Sequence, residues 1–273
     1  MRVGIQLDCF SGHLFHEIEL LMLLFSKCHT HDIVTLDYVH DTTDTERRAA
    51  TTSSISKFQK NINNVKYLCN KLFNVDINVT RDPNHTYDVY IRRADLNQFE
   101  IGKAFAEVII SFPASEWHAR ITSNKKATGG LLYAARQNTS RKLTDKHDQM
   151  IRELVTEYRG TIIDDFSKYT LAEQVDIFSD HTCVLGVHGN NLSGVMWMHP
   201  GSVVLELLRT KFDKHSVYDY QAMSWCMRHR YTQMLCDGGC VEEWQNKNPW
   251  SFTEDTHNML KRNLHLWNQL YVS

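Results

Sequence analysis

The sequence predicts an α/β protein built from two successive halves, each with a parallel sheet. Short apolar runs of strand character alternate with segments of helical periodicity over 2–112, and the alternation starts again over 131–271. A polar segment, 115–130, lies between the halves and ends in consecutive glycines, which makes it the best candidate for a linker. We therefore expect an N-terminal domain over 1–128 and a C-terminal domain over 129–273.

The first half is predicted to begin with a strand over 2–7 and a helix over 14–25. The helix is predicted because apolar side chains recur at i, i+4, i+7, i+8 and i+11. A second strand over 33–39 is followed by a polar loop and a helix over 54–73. The remaining predicted elements are strands over 76–79 and 87–92, a helix over 96–107 and a strand over 108–112.

The second half is predicted to alternate in the same way. Thr144 can cap one helix, and Thr170 with Glu173 forms a capping-box sequence that opens another. A further helix is expected from about Asn191, and the last helix, about 254–271, is a candidate to pack back on the N-terminal domain. The predicted strands of this half are 131–135, 161–163, 183–187 and 203–207.

The composition is that of a globular protein without a strong charge bias. The 273 residues include 30 Lys and Arg against 32 Asp and Glu, and 42% of them are hydrophobic. This balance gives no reason to expect a nucleic-acid partner, and no apolar run is long enough to predict a membrane span. The seven cysteines form an odd number without motif spacing, which favours reduced thiols and a cytoplasmic location.

One segment of the second half has the features of an anion-binding turn. A predicted strand ends at Val187, and the tetrapeptide His-Gly-Asn-Asn at 188–191 leads directly into a helix. Glycine lets a ligand approach the backbone, and a helix N-terminus offers unpaired N–H groups and a positive dipole end. This arrangement suits a pyrophosphate, and Glu206 in the next strand is placed to accept hydrogen bonds from a ribose. A tight βα turn with a structural histidine explains the same residues equally well.

This segment resembles the signature of family 61 glycosyltransferases. Residues 185–207 are similar to the family pattern, in which a Gly-x-His-Gly strand end is followed at set spacing by Pro-Gly and then Glu. Upstream, the strand that leads to Arg136, the basic residues Arg141 and Lys142, and a Glu-Gln helix over 171–178 resemble further family elements in the same order. The family includes xylosyl-, arabinosyl- and N-acetylglucosaminyltransferases, and this chain resembles a compact viral or microbial member.

The resemblance implies a fold, a reaction and a set of partners. The fold is GT-B-like, with two Rossmann-like domains whose parallel sheets face each other across a cleft. The reaction is the inverting transfer of a sugar, xylose as the first expectation and N-acetylglucosamine as the second, from a UDP-sugar to a glycan or glycoprotein acceptor in β linkage. We expect no metal cofactor, since the chain contains no Asp-x-Asp motif. The expected location is the cytoplasm, which is the host's if the source is a virus.

The resemblance also implies which residues bind the donor. A site without a metal must neutralise the leaving diphosphate with basic side chains and backbone N–H groups at a helix start. For Arg136 a surface ion pair is the alternative explanation. The predicted donor-binding residues are Arg136, Arg141, His188, Gly189, Asn190, Asn191, Leu192 and Glu206.

Inversion in one displacement also needs a base that deprotonates the acceptor hydroxyl. In a two-domain arrangement this base comes from the N-terminal half. Asp8, at the carboxyl end of the first predicted strand, and His13, at the entry of the first helix, are the two candidates. Helix capping and solvent exposure explain the same residues without catalysis. Asp76, Asp88 and Asp95 are held in reserve.

Two other functions fit parts of the sequence. A non-catalytic nucleotide- or glycan-binding module with the same fold would bind UDP without transferring a sugar. A metal-dependent transferase or hydrolase would use Asp164 and Asp165, or the late group of cysteines around His229. The spacing of that group matches no familiar zinc motif.

Overall fold

The structure is a computed structural model that divides into two compact units, Met1–Pro113 and Ala114–Ser273. Each unit contains its own parallel sheet, so the predicted α/β class is confirmed. No helix in the described part of the chain combines the length and the apolar character needed to cross a bilayer. The structure describes residues 1–6, 14–28, 33, 35–39, 52–80, 86–91, 104–137, 142–209, 219–236 and 249–272.

The first unit contains a four-stranded parallel sheet with strand order β3-β2-β1-β4. The order reverses between β1 and β4, and an open parallel sheet binds its ligands at the carboxyl ends of the strands beside such a reversal. β1 ends at Gln6, and Asp8 and His13 follow it outside the described residues. The elements of this unit are β1 (Arg2–Gln6), α1 (Leu14–Lys27), β2 (Thr35–Val39), α2 (Thr52–Phe73), β3 (Ile77–Thr80), β4 (Val89–Ile91) and α3 (Ala104–Ser111).

The end of the first unit differs from the prediction. The strand predicted over 108–112 is wrong, because α3 occupies Ala104–Ser111. Phe112 follows this helix, and its ring lies 6.1 Å from the ring of Phe25 in α1. A short apolar run has no period that distinguishes a buried helix from a buried strand, which explains the error.

The second unit contains a five-stranded parallel sheet with strand order β6-β5-β7-β8-β9. Its order reverses between β5 and β7. The elements are α4 (Ala114–Thr122), β5 (Leu131–Ala134), α5 (Asp145–Glu157), β6 (Thr161–Ile163), α6 (Leu171–Asp180), β7 (Cys183–Val187), a 3₁₀ helix (Asn190–Trp197), β8 (Val203–Arg209), α7 (Asp219–Cys226), β9 (Arg230–Cys236) and α8 (Glu254–Tyr271).

Two predicted helix starts in this unit are confirmed by their capping contacts. The hydroxyl of Thr144 accepts a hydrogen bond from the backbone N–H of His147 at 3.3 Å, at the start of α5. At the start of α6, Thr170 accepts from the backbone N–H of Glu173, while the Glu173 carboxylate accepts from the backbone N–H of Thr170 at 2.7 Å. The two reciprocal bonds form the predicted capping box.

The segment predicted as a linker contains a packed helix instead. α4 buries Trp117 completely, and its indole N–H donates to the backbone carbonyl of Met196 in the 3₁₀ helix at 2.9 Å. The second unit therefore begins at Ala114, earlier than the boundary predicted between 128 and 129.

The last helix, α8, packs on the core of the second unit. Leu260, Leu264 and Trp267 are buried in the same hydrophobic cluster as strand residues of the sheet. The indole N–H of Trp267 donates to the hydroxyl of Thr182 at 3.1 Å, and the hydroxyl of Tyr271 donates to a backbone carbonyl before β8. α7 and β9, which the sequence did not predict, lie between β8 and this helix in the chain.

Candidate functional site

Two neighbouring strands of the second sheet end where its strand order reverses. β5 leads to Arg136, and β7, its direct neighbour, leads to His188. Because open parallel sheets bind ligands beside a reversal, at the carboxyl ends of the strands, this edge is the expected position of a site. Two of the predicted donor-binding residues therefore meet here.

The turn after β7 is shaped by Gly189. Its φ is 147°, which side chains rarely permit, and a Cβ added here would collide with the guanidinium of Arg136. Nη1 of Arg136 donates a hydrogen bond to the carbonyl of His188 at 3.2 Å. The glycine thus lets a cation lie directly against the backbone at the start of the 3₁₀ helix.

His188 and Glu206 form a buried pair beneath this turn. The His188 side chain is 3% exposed and that of Glu206 is 0% exposed, and Nδ1 of the ring lies 2.5 Å from Oε1 of the carboxylate. The hydroxyl of Tyr231 donates to the other carboxylate oxygen, Oε2. A carboxylate can only accept, so we assign the proton to Nδ1 of the imidazole. Glu206 thereby sets the orientation and the tautomer of the His188 ring.

These contacts differ from those predicted for Glu206. The residue lies in the middle of β8, opposite Gly186 of β7 in the strand register, instead of at a strand end. Both of its oxygens accept from groups of the chain itself. The expected role of Glu206 as a ribose acceptor stays a prediction, whereas its contacts in the structure are to His188 and Tyr231.

Two tyrosines complete the site. The ring of Tyr220, on α7, lies edge-on to the His188 ring with centroids 5.2 Å apart. Burial first, and then the negative charge of Glu206, raise the pKa of Tyr220 and of Tyr231. Both hydroxyls therefore stay protonated at neutral pH and act as hydrogen-bond donors.

Neither tyrosine is among the residues predicted for the site, since neither α7 nor β9 is predicted from the sequence. A signal was present, because the stretch Arg230–Cys236 begins with the strand-favouring pair Tyr231 and Thr232, in a chain that alternates strand and helix.

Asn190 and Asn191 connect the start of the 3₁₀ helix to its surroundings. The side-chain amide of Asn191 donates to the carbonyl of Ala135 at 3.0 Å, which ties the helix to the end of β5. The hydroxyl of Ser193 donates to the side-chain carbonyl of Asn190 at 3.3 Å. Both asparagines therefore stabilise the turn on which Arg136 rests.

Leu192 has a structural position in the turn. Its backbone N–H donates to the carbonyl of Gly189 at 2.8 Å, and its role at the donor stays a prediction. The side chain is fully buried, and a Cβ added at Gly186 of β7 would lie only 2.7 Å from it. The helix that begins here is a 3₁₀ helix of eight residues.

A protein-family model matches most of the chain. The model of the family described as Glycosyltransferase 61 matches residues 12–205. The chain belongs to the glycosyltransferase 61 family. Among curated proteins no match was found. The matched segment includes Arg136 and the turn at His188, and it ends directly before Glu206. Membership in the glycosyltransferase 61 family supports a transferase that moves a glycosyl group from a sugar donor to an acceptor.

The remaining predicted residues of this glycosyltransferase 61 chain lie outside the site or outside the described residues. Arg141, Asp8 and His13 are outside the described residues, so their roles stay predictions. Asp76 and Asp88 directly precede β3 and β4, at the amino ends of the strands of the first sheet. They are therefore poor candidates for a base at the carboxyl ends, and Asp95 is not described.

The groups considered for a metal have structural contacts instead. Asp164 accepts from the guanidinium of Arg152, and Asp165 caps a short 3₁₀ turn by accepting from the backbone N–H of Ser167 at 2.9 Å. Nε2 of His229 bonds the carbonyl of Val195 at 2.8 Å. Over the described ranges of the chain, no group of three or more His, Cys, Asp or Glu side chains is placed to hold a metal ion.

Proposed function

We propose that this glycosyltransferase 61 chain transfers a sugar from a UDP-sugar to a glycan or glycoprotein acceptor, with inversion to a β linkage and without a metal. The observation that carries the proposal is the guanidinium of Arg136, which lies against the turn at His188–Gly189 where the strand order reverses. A cation fixed at this point stabilises the negative charge that develops on a leaving diphosphate.

Arg136 can exchange a weak partner for a strong one when the donor binds. Its Nη1 donates to a neutral backbone carbonyl at 3.2 Å, which is a long hydrogen bond. Bonds from a guanidinium to phosphate oxygens are shorter, bidentate and about twice as strong as bonds between neutral groups. The diphosphate therefore competes well with the His188 carbonyl for the hydrogen bond from Nη1.

The proposed reaction also uses the first unit. In a GT-B-like arrangement the two sheets face each other across a cleft, and the base comes from the segment after β1, where Asp8 and His13 lie in the sequence. The order of the first sheet, which reverses between β1 and β4, supports this assignment. The acceptor oxygen attacks the anomeric carbon as its proton passes to the base. The bond from the sugar to the diphosphate breaks, and UDP leaves with the electron pair.

The proposal also covers the identity of the donor sugar and the location of the enzyme. Xylose and then N-acetylglucosamine are chosen on the resemblance to family members. A cytoplasmic location is compatible with the buried thiols of the described cysteines, which are Cys28, Cys69, Cys183, Cys226 and Cys236.

The proposal is tested by nucleotide binding, with a substitution at the donor site. Calorimetry and thermal shift with UDP, GDP, ADP and UDP-sugars, each with and without EDTA, should show a preference for UDP that survives the chelator. Arg136→Gln should weaken UDP binding roughly 10- to 100-fold, since a charged hydrogen bond contributes about 1.5–3 kcal/mol. Arg262→Gln, on the exposed face of α8, is the control and should bind UDP as the native chain does.

Other results would change the conclusion in defined ways. No response to any nucleotide would overturn the donor site, and equal affinity in Arg136→Gln would remove this residue from it. UDP binding with neither transfer nor slow hydrolysis of any UDP-sugar would point to the non-catalytic module.

A further inference from the structure

We infer that Tyr231 is a positioning residue of the donor site, which acts through Glu206 on the ring of His188. The inference rests on the proposed function, since it takes the turn at His188–Gly189 as the place where the diphosphate binds. Tyr231 lies on β9, beyond the 12–205 segment that the family model matches. Its assignment therefore comes from the structure of this chain alone.

A continuous line of hydrogen bonds connects β9 to the turn. The side-chain amide of Gln233 donates to the hydroxyl oxygen of Tyr231 at 3.2 Å, and the Tyr231 hydroxyl donates to Oε2 of Glu206. On its other side, Oε1 of Glu206 accepts from Nδ1 of His188 at 2.5 Å. Bonds in such a chain polarise one another, so each strengthens the next.

Tyr231 is the partner that fixes the plane of the Glu206 carboxylate. Glu206 is completely buried, so an oxygen without a donor would destabilise the site and would favour rotation of the carboxylate. With Oε2 bonded to Tyr231, Oε1 is directed at the imidazole, and the proton on Nδ1 is fixed. The His188 ring also packs against Tyr220, which lies edge-on to it with centroids 5.2 Å apart. The position of His188, directly after β7, thus depends on Tyr231 of β9, two strands away in the sheet.

Tyr231 remains a donor over the working pH range of a neutral enzyme. Burial and the charge of Glu206 raise the pKa of its hydroxyl, so a phenolate does not form beside the carboxylate. The side chain of Tyr231 is half-buried, and removal of its hydroxyl leaves no large cavity. Tyr231→Phe is therefore a clean probe of the hydrogen bond.

A merely structural role would give a different result from a positioning role. If Tyr231 only satisfied a buried charge, Tyr231→Phe would lower the melting temperature and leave the His188 ring and the kinetics unchanged. If it positions the ring, the substitution changes the tautomer and the reaction rate as well. The effect should also vanish when His188 is replaced, because two residues that act through one group are not additive.

The experiment compares Tyr231→Phe with Tyr271→Phe in the full chain. Tyr271 also donates a partly buried hydrogen bond, to the carbonyl of Gly201 at 2.5 Å, but at the amino end of β8 and away from the turn. The readouts are the ¹⁵N NMR shifts of the His188 ring in the protein without ligand, the melting temperature, and kcat and KM for the UDP-sugar found by the nucleotide panel.

We expect Tyr231→Phe to move the His188 ring from a single Nδ1–H tautomer to a mixture and to lower kcat about tenfold, with KM changed less than threefold. Tyr271→Phe should change the melting temperature alone. In a His188→Ala background, Tyr231→Phe should cause no further loss of kcat. A native-like His188 spectrum in Tyr231→Phe, or losses that add in the double variant, would overturn the inference. The NMR readout needs no substrate, so it tests the inference even if the chain binds no UDP and the proposed function fails.

Discussion

The absence of a side chain at Gly189 allows the guanidinium of Arg136 to lie against the backbone. A Cβ at this position would meet the guanidinium, and its φ of 147° is unfavourable for any side chain. We expect Gly189→Ala to displace Arg136 and to weaken UDP binding at least tenfold. Isothermal calorimetry with UDP measures the loss.

Gly201 provides the matched control for this substitution. It has a φ of 89°, but a Cβ added there would meet no atom within 4 Å. Gly201→Ala therefore carries the backbone strain, about 1–3 kcal/mol, without the collision. It should lower the melting temperature and keep the affinity for UDP. Native-like UDP affinity in Gly189→Ala would show that the position of Arg136 does not matter for the donor.

The residues of the site differ in how well the sequence reveals them. Arg136, His188 and Gly189 follow strands that could be predicted, so their meeting at one sheet edge follows from the pattern. The contact between Glu206 and Tyr231 could not be predicted in the same way. It depends on β9, the fifth strand of the second sheet, and on the register that aligns β9 with β8.

The elements around the 3₁₀ helix are joined through buried histidines. His118 lies on α4, and His229 lies at the entry of β9, where its Nε2 bonds the carbonyl of Val195. The rings of His118 and His199 are 5.0 Å apart. In each of His118 and His229 one ring nitrogen is buried without a hydrogen-bond partner. These residues can pack in this way only while their rings are neutral.

We expect these histidines to make the second unit sensitive to acid. Burial first, and the proximity of His199, lower the pKa of His118 to about 4; burial first, and then the proximity of His118 and His199, lower that of His229 to about 4. In the unfolded chain both rings take up protons near pH 6.5, whereas in the folded chain they stay neutral until about pH 4. Stability is therefore full above pH 6.5 and falls as the pH drops from 6.5 to 4. Urea unfolding at a series of pH values measures this loss.

His118→Phe separates this effect from general acid unfolding. The variant keeps an aromatic ring at the packed position and removes one group that titrates. Its stability should fall less steeply than that of the native chain between pH 6.5 and 4. His265→Phe, on the exposed face of α8, should leave the slope unchanged. Equal slopes in all three proteins would mean that the loss of stability has another source.

Elements could be predicted where a local signal marks them. The capping residues Thr144 and Thr170 gave helix starts that the structure confirms. The end of α3 is predicted from the sequence as a strand, because a helix of eight mostly apolar residues shows no decisive period. The helix after β7 was expected from about Asn191, but periodicity over eight residues does not separate a 3₁₀ helix from an α-helix.

At the scale of the whole molecule, the alternation of strands and helices was enough to predict two parallel α/β units. The division between them was harder to predict, since a polar stretch that ends in glycines is typical of a linker. Five of the nine residues of α4 are buried, but only Trp117 and Ile121 are large and apolar, and the other three, Ala114, His118 and Thr122, are small or polar. Two large apolar side chains in nine residues are too few to stand out in the sequence.

The polar segment should behave as part of the second unit when the intact chain is treated with trypsin. It contains cleavage sites at Arg120, Lys125 and Lys126. Lys125 pairs with Asp180 at 3.0 Å, and the backbone N–H of Thr128 donates to the Asp180 carbonyl at 3.1 Å, so the residues after α4 are tied to the end of α6. Proteases need an extended, accessible segment.

We therefore expect these sites to be cut slowly in the native protein and rapidly in urea, as followed by mass spectrometry of the fragments. Trp117→Ala removes the indole that bonds the Met196 carbonyl, and a loss of about 3–5 kcal/mol is expected for a buried tryptophan. The substitution Trp117→Ala should make the same three sites accessible to trypsin, although it leaves the cleaved residues themselves unchanged. Rapid native cleavage at Lys126, with release of a folded fragment that still responds to UDP, would favour the boundary between 128 and 129 instead. Resistance of the sites in native protein and their exposure in Trp117→Ala would fix the start of the second unit at α4.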